Sequence, residues 1–183
     1  MVSSTFWASL GAAALTSTVC ANAVVVNQVF VNNTNAVQSY TYTQWLPGVT
    51  SMQNAVMGGS VSATLTDLNG NGATLGSQGV SAVYTALVDS AQVQHLVSGG
   101  LWFAVGQFQS GSITPETFGS PIPNLPVPDG TPDGQMGIQL KFTLSPGDAV
   151  AFASTFIIQP VPGPGALALL GCVGLPGLRR RRS

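Results

Sequence analysis

Hydrophobic and polar residues alternate along several stretches of the chain. Residues 61–66 read Val-Ser-Ala-Thr-Leu-Thr, and residues 138–145 read Ile-Gln-Leu-Lys-Phe-Thr-Leu-Ser. Residues 80–88 place Val, Ala and Tyr at every second position, and residues 150–158 are almost wholly apolar. A repeat of two residues is that of a β-strand with one buried face. The pattern therefore predicts a strand in each of these four segments.

Three further segments, residues 24–31, 40–45 and 101–108, are rich in the Val, Thr and aromatic residues that favour strands. Between the last two alternating segments, Ser145-Pro146-Gly147-Asp148 has Pro and Gly where a type II turn needs them. We therefore expect residues 138–145 and 150–158 to form a hairpin. No helical pattern occurs between residues 24 and 165, so residues 24–160 are predicted to be all-β, a single antiparallel β-sandwich or jelly-roll-like domain.

Residues 115–132 contain six prolines. Proline cannot donate to a sheet ladder, so this segment is predicted to be a surface connection rather than sheet. A polyproline II ligand for a partner protein is the less favoured alternative.

Charge divides the chain into unlike parts. Charged residues make up 6% of the 183 residues, and the formal net charge is −1. Four of the five basic residues are Arg179, Arg180, Arg181 and Arg182, which leaves Lys141 against six acidic residues in the body, a net charge of −5. This composition excludes a coiled coil, a charge-rich disordered chain and a nucleic-acid-binding protein with a broad basic face.

The first 23 residues are typical of a secretory signal peptide. Residues 6–15 form an apolar stretch of the length of a signal core, and Ala21-Asn22-Ala23 is a small-x-small cleavage pattern. We expect an N-terminal signal helix, export by the Sec machinery and a mature chain that begins at Val24. A lipoprotein signal at Cys20 is disfavoured because Ser17 replaces the Leu expected three residues before the cysteine.

The last 23 residues have three parts in a fixed order. Val161-Pro162-Gly163-Pro164-Gly165 is followed by 13 apolar, Gly or Pro residues at 166–178 and then by the four arginines. The middle part predicts a short membrane helix. Each Arg costs about 2.5–3.5 kcal/mol in a bilayer, so the arginines are expected to stay cytoplasmic, with the body outside.

This order resembles the PEP-CTERM sorting signal of Gram-negative bacteria. The resemblance covers residues 161–183, with Val161, Pro162 and Pro164 in the motif and Arg179–Arg182 as the basic tail; Gly163 stands where the family usually has Glu. It implies recognition by an exosortase, transient membrane attachment, and transfer from the inner membrane to the cell surface or extracellular matrix. A permanent tail anchor and a fortuitous apolar tail are the alternatives.

Both cysteines lie in the segments expected to be removed. Cys20 precedes the predicted signal cleavage site and Cys172 lies in the tail helix. The mature body therefore has no disulfide, and its stability has to come from its core.

One loop has a partial calcium pattern. Asp67, Asn69 and Asn71 place oxygen ligands at alternate positions, followed by Gly72 at the sixth. The twelfth position, a bidentate Glu in an EF-hand, holds Gln78. Because Asn-Gly pairs also mark tight turns, a turn is favoured over a weak calcium site.

Candidate catalytic chemistry is sparse. His95 is the only histidine, and no Gly-x-Ser-x-Gly nucleophile motif is present. Among the aromatic residues, core packing is predicted for Trp102, while Tyr40 and Tyr42 share one face and could stack on sugars. We therefore expect no catalytic residue and no cofactor. The predicted role is a non-catalytic matrix protein with exopolysaccharide as a further partner; a carbohydrate- or calcium-binding module and a secreted hydrolase are the alternatives.

Overall fold

The computed structural model describes residues 22–49, 52, 54–128 and 134–161. These residues contain twelve β-strands and no helix, so the predicted all-β class is confirmed. The strands are β1 Asn22–Val31, β2 Gln38–Val49, β3 Ala55–Thr66, β4 Ala73–Gly76, β5 Tyr84–Val88, β6 Ala91–Leu96, β7 Trp102–Val105, β8 Ser110–Ser112, β9 Glu116–Phe118, β10 Leu125–Pro126, β11 Gly134–Leu144 and β12 Ala149–Pro160.

The predicted signal helix and tail helix fall outside the described residues. In the part of the chain that is described, no helix has the length and hydrophobicity needed to span a membrane.

The strands form two antiparallel sheets. In the first sheet β12 lies between β1 and β3, and the free side of β3 pairs with the short strands β8, β9 and β10. In the second sheet β11 pairs with β2 along one edge and with β4 and β5 along the other. Strands β7 and β6 then pair with β4 and β5, respectively.

The sheets pack face to face, as in a β-sandwich. Ile138, Leu140 and Phe142 of β11 are fully buried, as the alternating pattern predicts. The Phe142 ring lies 4.8 Å from the Phe152 ring of the other sheet, between ring centroids. Tyr84 is also fully buried, and its hydroxyl donates a 2.9 Å hydrogen bond across the core to the Thr155 carbonyl. Burying each such side chain contributes about 1.5–3 kcal/mol to folding.

The predicted hairpin at residues 138–158 is wrong, although the turn is present. Gly147 has a φ of +74°, as a type II turn requires at its third position. However, β11 belongs to the second sheet and β12 to the first, so the turn carries the chain from one layer to the other. The alternating pattern shows only that each strand has one buried face. Paired strands of a hairpin and strands in opposite sheets of a sandwich both have this property, so the pattern does not distinguish them.

Three predicted segments are shorter or placed differently. The strand predicted at 80–88 begins only at Tyr84, and Val80 lies in a turn with 96% of its side chain exposed. The strand predicted at 101–108 is reduced to Trp102–Val105. The proline-rich connection is mostly irregular, but β9 and β10 pair with the edge of β3, and Pro126 occupies this edge position without breaking a ladder.

Asn32 ties two connections together at one end of the body. Its side chain is fully buried, and Nδ2 donates to the carbonyls of Leu144, Ser145 and Ala36 at 2.8–3.0 Å. The Gly147 N–H in turn donates to the Asn32 carbonyl at 2.7 Å. The β1–β2 connection therefore fixes the turn that joins the two sheets.

Candidate functional site

Asp67 follows β3 and organises the loop that carries the calcium pattern. Its side chain is buried, with 3% exposed. Oδ1 accepts from the N–H groups of Asn69 and Gly70 at 3.2 and 3.0 Å, and Oδ2 accepts from those of Gly72 and Phe108 at 3.0 and 2.7 Å. Burial acts to raise the pKa of Asp67, but these four backbone donors outweigh it and hold the pKa below its usual range.

The structure places the three predicted calcium residues in one turn, where the side chains of Asp67 and Asn69 are used within the protein. Asn69 Nδ2 donates to the Pro146 carbonyl at 2.9 Å, and Asn69 Oδ1 accepts from the Asn71 N–H at 3.1 Å. Asn71 itself is exposed. Four donors already occupy the lone pairs of Asp67 that a cation would need. No group of three or more His, Cys, Asp or Glu residues suited to a metal ion occurs within the described ranges.

Asp148 is the residue at this loop that sequence reasoning missed. It closes the turn between the two sheets and is fully buried. Oδ2 accepts from the Ser145 hydroxyl, whereas Oδ1 is buried without a hydrogen-bond donor among the described residues. Burial raises the pKa of Asp148, and the adjoining Asp67 carboxylate raises it further. Two acidic groups thus meet in the interior.

No local motif could have identified this pair. Asp148 stands in a turn signature where Asp is common on the surface, and Asp67 lies in a distant Asn-Gly turn. Only the packing of the β3–β4 loop onto the β11–β12 turn, through Asn69 and the Pro146 carbonyl, brings them together.

His95 and Lys141 line one cavity of about 410 Å³ on the outer face of the second sheet; we call it the His95–Lys141 cavity. Lys141 lies on the face of β11 opposite to the buried Leu140 and Phe142. Thr85, on the neighbouring β5, is buried, and its Oγ1 lies 3.2 Å from His95 Nδ1 on β6. The hydrogen-bond partner of His95 Nδ1 is thus a hydroxyl group, whereas in a Ser-His-Asp triad a carboxylate binds this nitrogen.

Two connected loops form the wall of this cavity. The β4–β5 connection contributes Val80 and Ser81, and the β6–β7 connection contributes Ser98 and Gly99. The loops are joined by backbone hydrogen bonds from Val83 N–H to the Val97 carbonyl at 2.9 Å and from Ser77 N–H to the Leu101 carbonyl at 3.1 Å. The wall is therefore held by bonds within the protein.

A second groove, of about 270 Å³, contains Trp102 and Glu116. Trp102 is 74% exposed, so the prediction that it packs in the core is wrong. It lies on β7, an edge strand of its sheet, whose side chains are exposed or half-buried. Tyr40 and Tyr42, the other candidate sugar platform, are half-buried, and both rings contact Phe30 with centroid distances of 5.8 and 5.6 Å.

The predicted processing residues lie at or beyond the ends of the described body. Ala23 and Val24 belong to β1, where they pair with Ile157 and Phe156. Val161 follows β12 and is 48% exposed. Ala21, Pro162, Gly163, Pro164 and the four arginines lie outside the described residues.

Known proteins resemble this chain only in part of their structure and at low sequence identity. No protein-family model matches the chain, and no curated protein matches it. Among solved structures, a structure of infectious bursal disease virus Gx strain matches this chain with a TM-score of 0.38 and 12% sequence identity. The match covers 79% of this chain and 33% of the viral chain. The Gt strain has a TM-score of 0.21 and 12% identity, with 83% and 44% covered. The T=1 particles derived from the virus have a TM-score of 0.18 and 12% identity, with 81% and 42% covered. The chain spans less than half the length of these viral chains.

Proposed function

We propose that this chain is an exported envelope or matrix protein of a Gram-negative bacterium, sorted and cleaved by an exosortase, with a non-catalytic role at the cell surface. The observation that carries the proposal is the order of the C-terminal parts: the Val-Pro-Gly-Pro motif, the short apolar segment and the four terminal arginines. A Cys-free body of low charge suits an extracellular protein that is stabilised by its core.

The fold supports a removable segment at each end. β12 ends at Pro160, and Val161 is half exposed where the sorting motif begins. Asn22 pairs with Ile158, so the first residues of β1 and the last of β12 lie side by side. Cleavage before Val24 would leave the pairs from Val24–Phe156 to Val31–Ala149 intact, because only the first two pairs of this ladder involve earlier residues.

We further infer that the body is a jelly roll. The strand order β1-β12-β3 in one sheet and β2-β11-β5-β6 in the other supports this. Consecutive long strands alternate between the sheets, as they do when paired Greek keys wrap a sandwich.

The proposal is tested by expressing the full chain in a Gram-negative host with an exosortase and in the same host without it. We expect mass spectrometry of the extracellular protein to show Val24 at the N-terminus and no arginine cluster, only where the enzyme is present. Replacement of Pro162 and Pro164 by Ala should abolish release, whereas Val80→Ala, at an exposed position, should not. An intact C-terminus on the mature extracellular protein would refute processing.

A further inference from the structure

The His95–Lys141 cavity brings together the only side chains of residues 22–161 that can carry positive charge. The same stretch of chain contains six acidic residues. A cavity between strands and loops focuses the field of the charges that line it. In an otherwise acidic body, this cavity therefore has the side chains best suited to attract an anion.

The rest of the lining mixes polar side chains with the small or apolar residues Val80, Ala82 and Gly99. Ser81, Thr85, Gln92 and Ser98 offer three hydroxyl groups and one amide, each able to donate and to accept. No Phe, Tyr or Trp side chain is among the described residues that line the cavity. Its volume of about 410 Å³ lies in the range of small-molecule sites, roughly 300–1,000 Å³. These features favour a compact ligand that has one anionic group and several hydroxyl groups.

The cavity is shaped before any ligand arrives. Lys141 is fixed at its backbone, where its N–H donates to the Val83 carbonyl at 2.9 Å. The backbones of Gly99 and Val80 touch so closely that a Cβ on residue 99 would lie 2.1 Å from the Val80 carbonyl oxygen. Thr85 holds His95 Nδ1, which leaves Nε2 as the ring nitrogen for a ligand. Preorganised polar groups lower the entropy cost of binding.

Backbone strain occurs next to the same wall, at a residue that lines the neighbouring groove of Trp102 and Glu116. Val97, which directly precedes Ser98 and Gly99, has a φ of +52°, a conformation that a β-branched residue rarely adopts. The Glu116 carboxylate holds it there by accepting from the Val97 N–H at 2.7 Å. Strain of this kind is concentrated at functional sites, where the surrounding structure enforces it.

We propose that the His95–Lys141 cavity binds the carboxylate-bearing end of an acidic saccharide, a uronate unit. Lys141 supplies the charge for the carboxylate, His95 donates a hydrogen bond, and the Ser, Thr and Gln side chains pair with the sugar hydroxyls. This site does not depend on exosortase processing, because every residue in it lies within the described body.

The test is a titration of the full-length chain, purified in mild detergent, with D-glucuronate. The matched ligands are its neutral methyl ester, D-glucose and acetate, and binding is followed by calorimetry. We expect glucuronate to bind at least tenfold more tightly than the other three. Equal affinity for the ester would contradict the proposal that the carboxylate charge is recognised. Equal affinity for acetate would contradict the proposal that the sugar hydroxyl groups are recognised. These comparisons use only the wild-type chain, so they hold even if a variant fails to fold.

Two variants locate the site. Lys141→Gln keeps a polar side chain and removes the charge, so we expect it to weaken glucuronate binding at least tenfold. Thr43→Val is the matched control, because Thr43 lies on the same face of the second sheet, paired with Gln139, outside the cavity. Unchanged affinity in a folded Lys141→Gln variant, or an equal loss in Thr43→Val, would contradict the proposed site.

Discussion

Asp67 and Asp148 place their carboxyl groups next to each other in the interior, on two turns that are far apart in the chain. Asp67 accepts four backbone hydrogen bonds, so its charge is stabilised where it stands. Asp148 accepts a hydrogen bond from the Ser145 hydroxyl, but burial beside that charge disfavours its ionised form. Asp67 is therefore the carboxylate of the pair, and Asp148 is the carboxyl group that holds its proton more tightly than usual.

This pair predicts a particular pH dependence of stability. The pKa of Asp148 is raised above 3.8, so its contribution is full below that pH and is lost as the pH rises through the folded-state pKa. The pKa of Asp67 is lowered, so its contribution is present above 3.8 and is lost as the pH falls through the folded-state pKa. Urea unfolding of Asp148→Asn, measured from about pH 3 to 8, should lack the loss of stability at rising pH that we expect of the wild-type protein.

The matched variant is Asp67→Asn. It places an amide N–H group against backbone N–H groups, so we expect it to destabilise the protein throughout the neutral range, where Asp148→Asn does not. Parallel stability curves for the wild-type protein and Asp148→Asn would show that Asp148 does not titrate differently in the folded state.

Calcium is expected to leave the protein unchanged. A cation at the 67–72 loop would have to displace the four N–H groups that bind Asp67, and Asn69 is engaged with the Pro146 carbonyl. A ligand present at 100 times its Kd would stabilise the folded state by about 2.7 kcal/mol, a shift that thermal unfolding detects easily. A rise in Tm with millimolar calcium, reversed by a chelator, would restore the calcium interpretation of Asp67, Asn69 and Asn71.

Much of the fold could be predicted from the chain because periodicity of two reports a strand with one buried face. Residues 138–145 and 150–158 are strands for this reason. Periodicity does not say which sheet a strand joins, and here the turn at Pro146 and Gly147 crosses between layers instead of closing a hairpin. Val80 fits the alternating pattern of residues 80–88 although it lies in an exposed turn. Apolar residues also occur on surfaces, so a single match to the pattern does not place a residue in a strand.

The candidate sites were less predictable because their residues come from separate strands. β6, with His95, follows a two-residue turn in which Asp89 and Ser90 have φ values of +48° and +70°, a primed turn without the usual Asn-Gly signature. His95 on β6 and Lys141 on β11 line the same cavity because β5 pairs with both strands and so places them in one sheet.

Asn32 should be among the most sensitive polar residues of the protein. Asn32→Ala removes the donor shared by the carbonyls of Leu144, Ser145 and Ala36, and the bonds lost at Leu144 and Ser145 are buried. Each unpaired buried group costs about 1–3 kcal/mol, so we expect a loss of about 3 kcal/mol in the free energy of unfolding, measured with urea. Asn33→Ala, at the exposed neighbouring residue, should change it by less than about 0.5 kcal/mol. Equal effects would mean that the side-chain bonds of Asn32 do not hold the turn.

Gly137 is required because Trp45 covers it. A Cβ on residue 137 would lie 2.6 Å from Trp45 Cε3 and 2.9 Å from the Gln44 carbonyl oxygen, closer than real Cβ contacts allow. We expect Gly137→Ala to push the indole ring away, shift the tryptophan emission and cost about 1–3 kcal/mol in urea unfolding.

Gly106→Ala is the control for this prediction, because its Cβ would meet only the flexible end of Gln109 at 3.0 Å. The same glycine substitution in a Trp45→Ala background should cost less, because the ring that it displaces is gone. If the two substitutions proved additive, the conflict would lie with the Gln44 backbone, and Trp45 would not be the reason that residue 137 has no side chain.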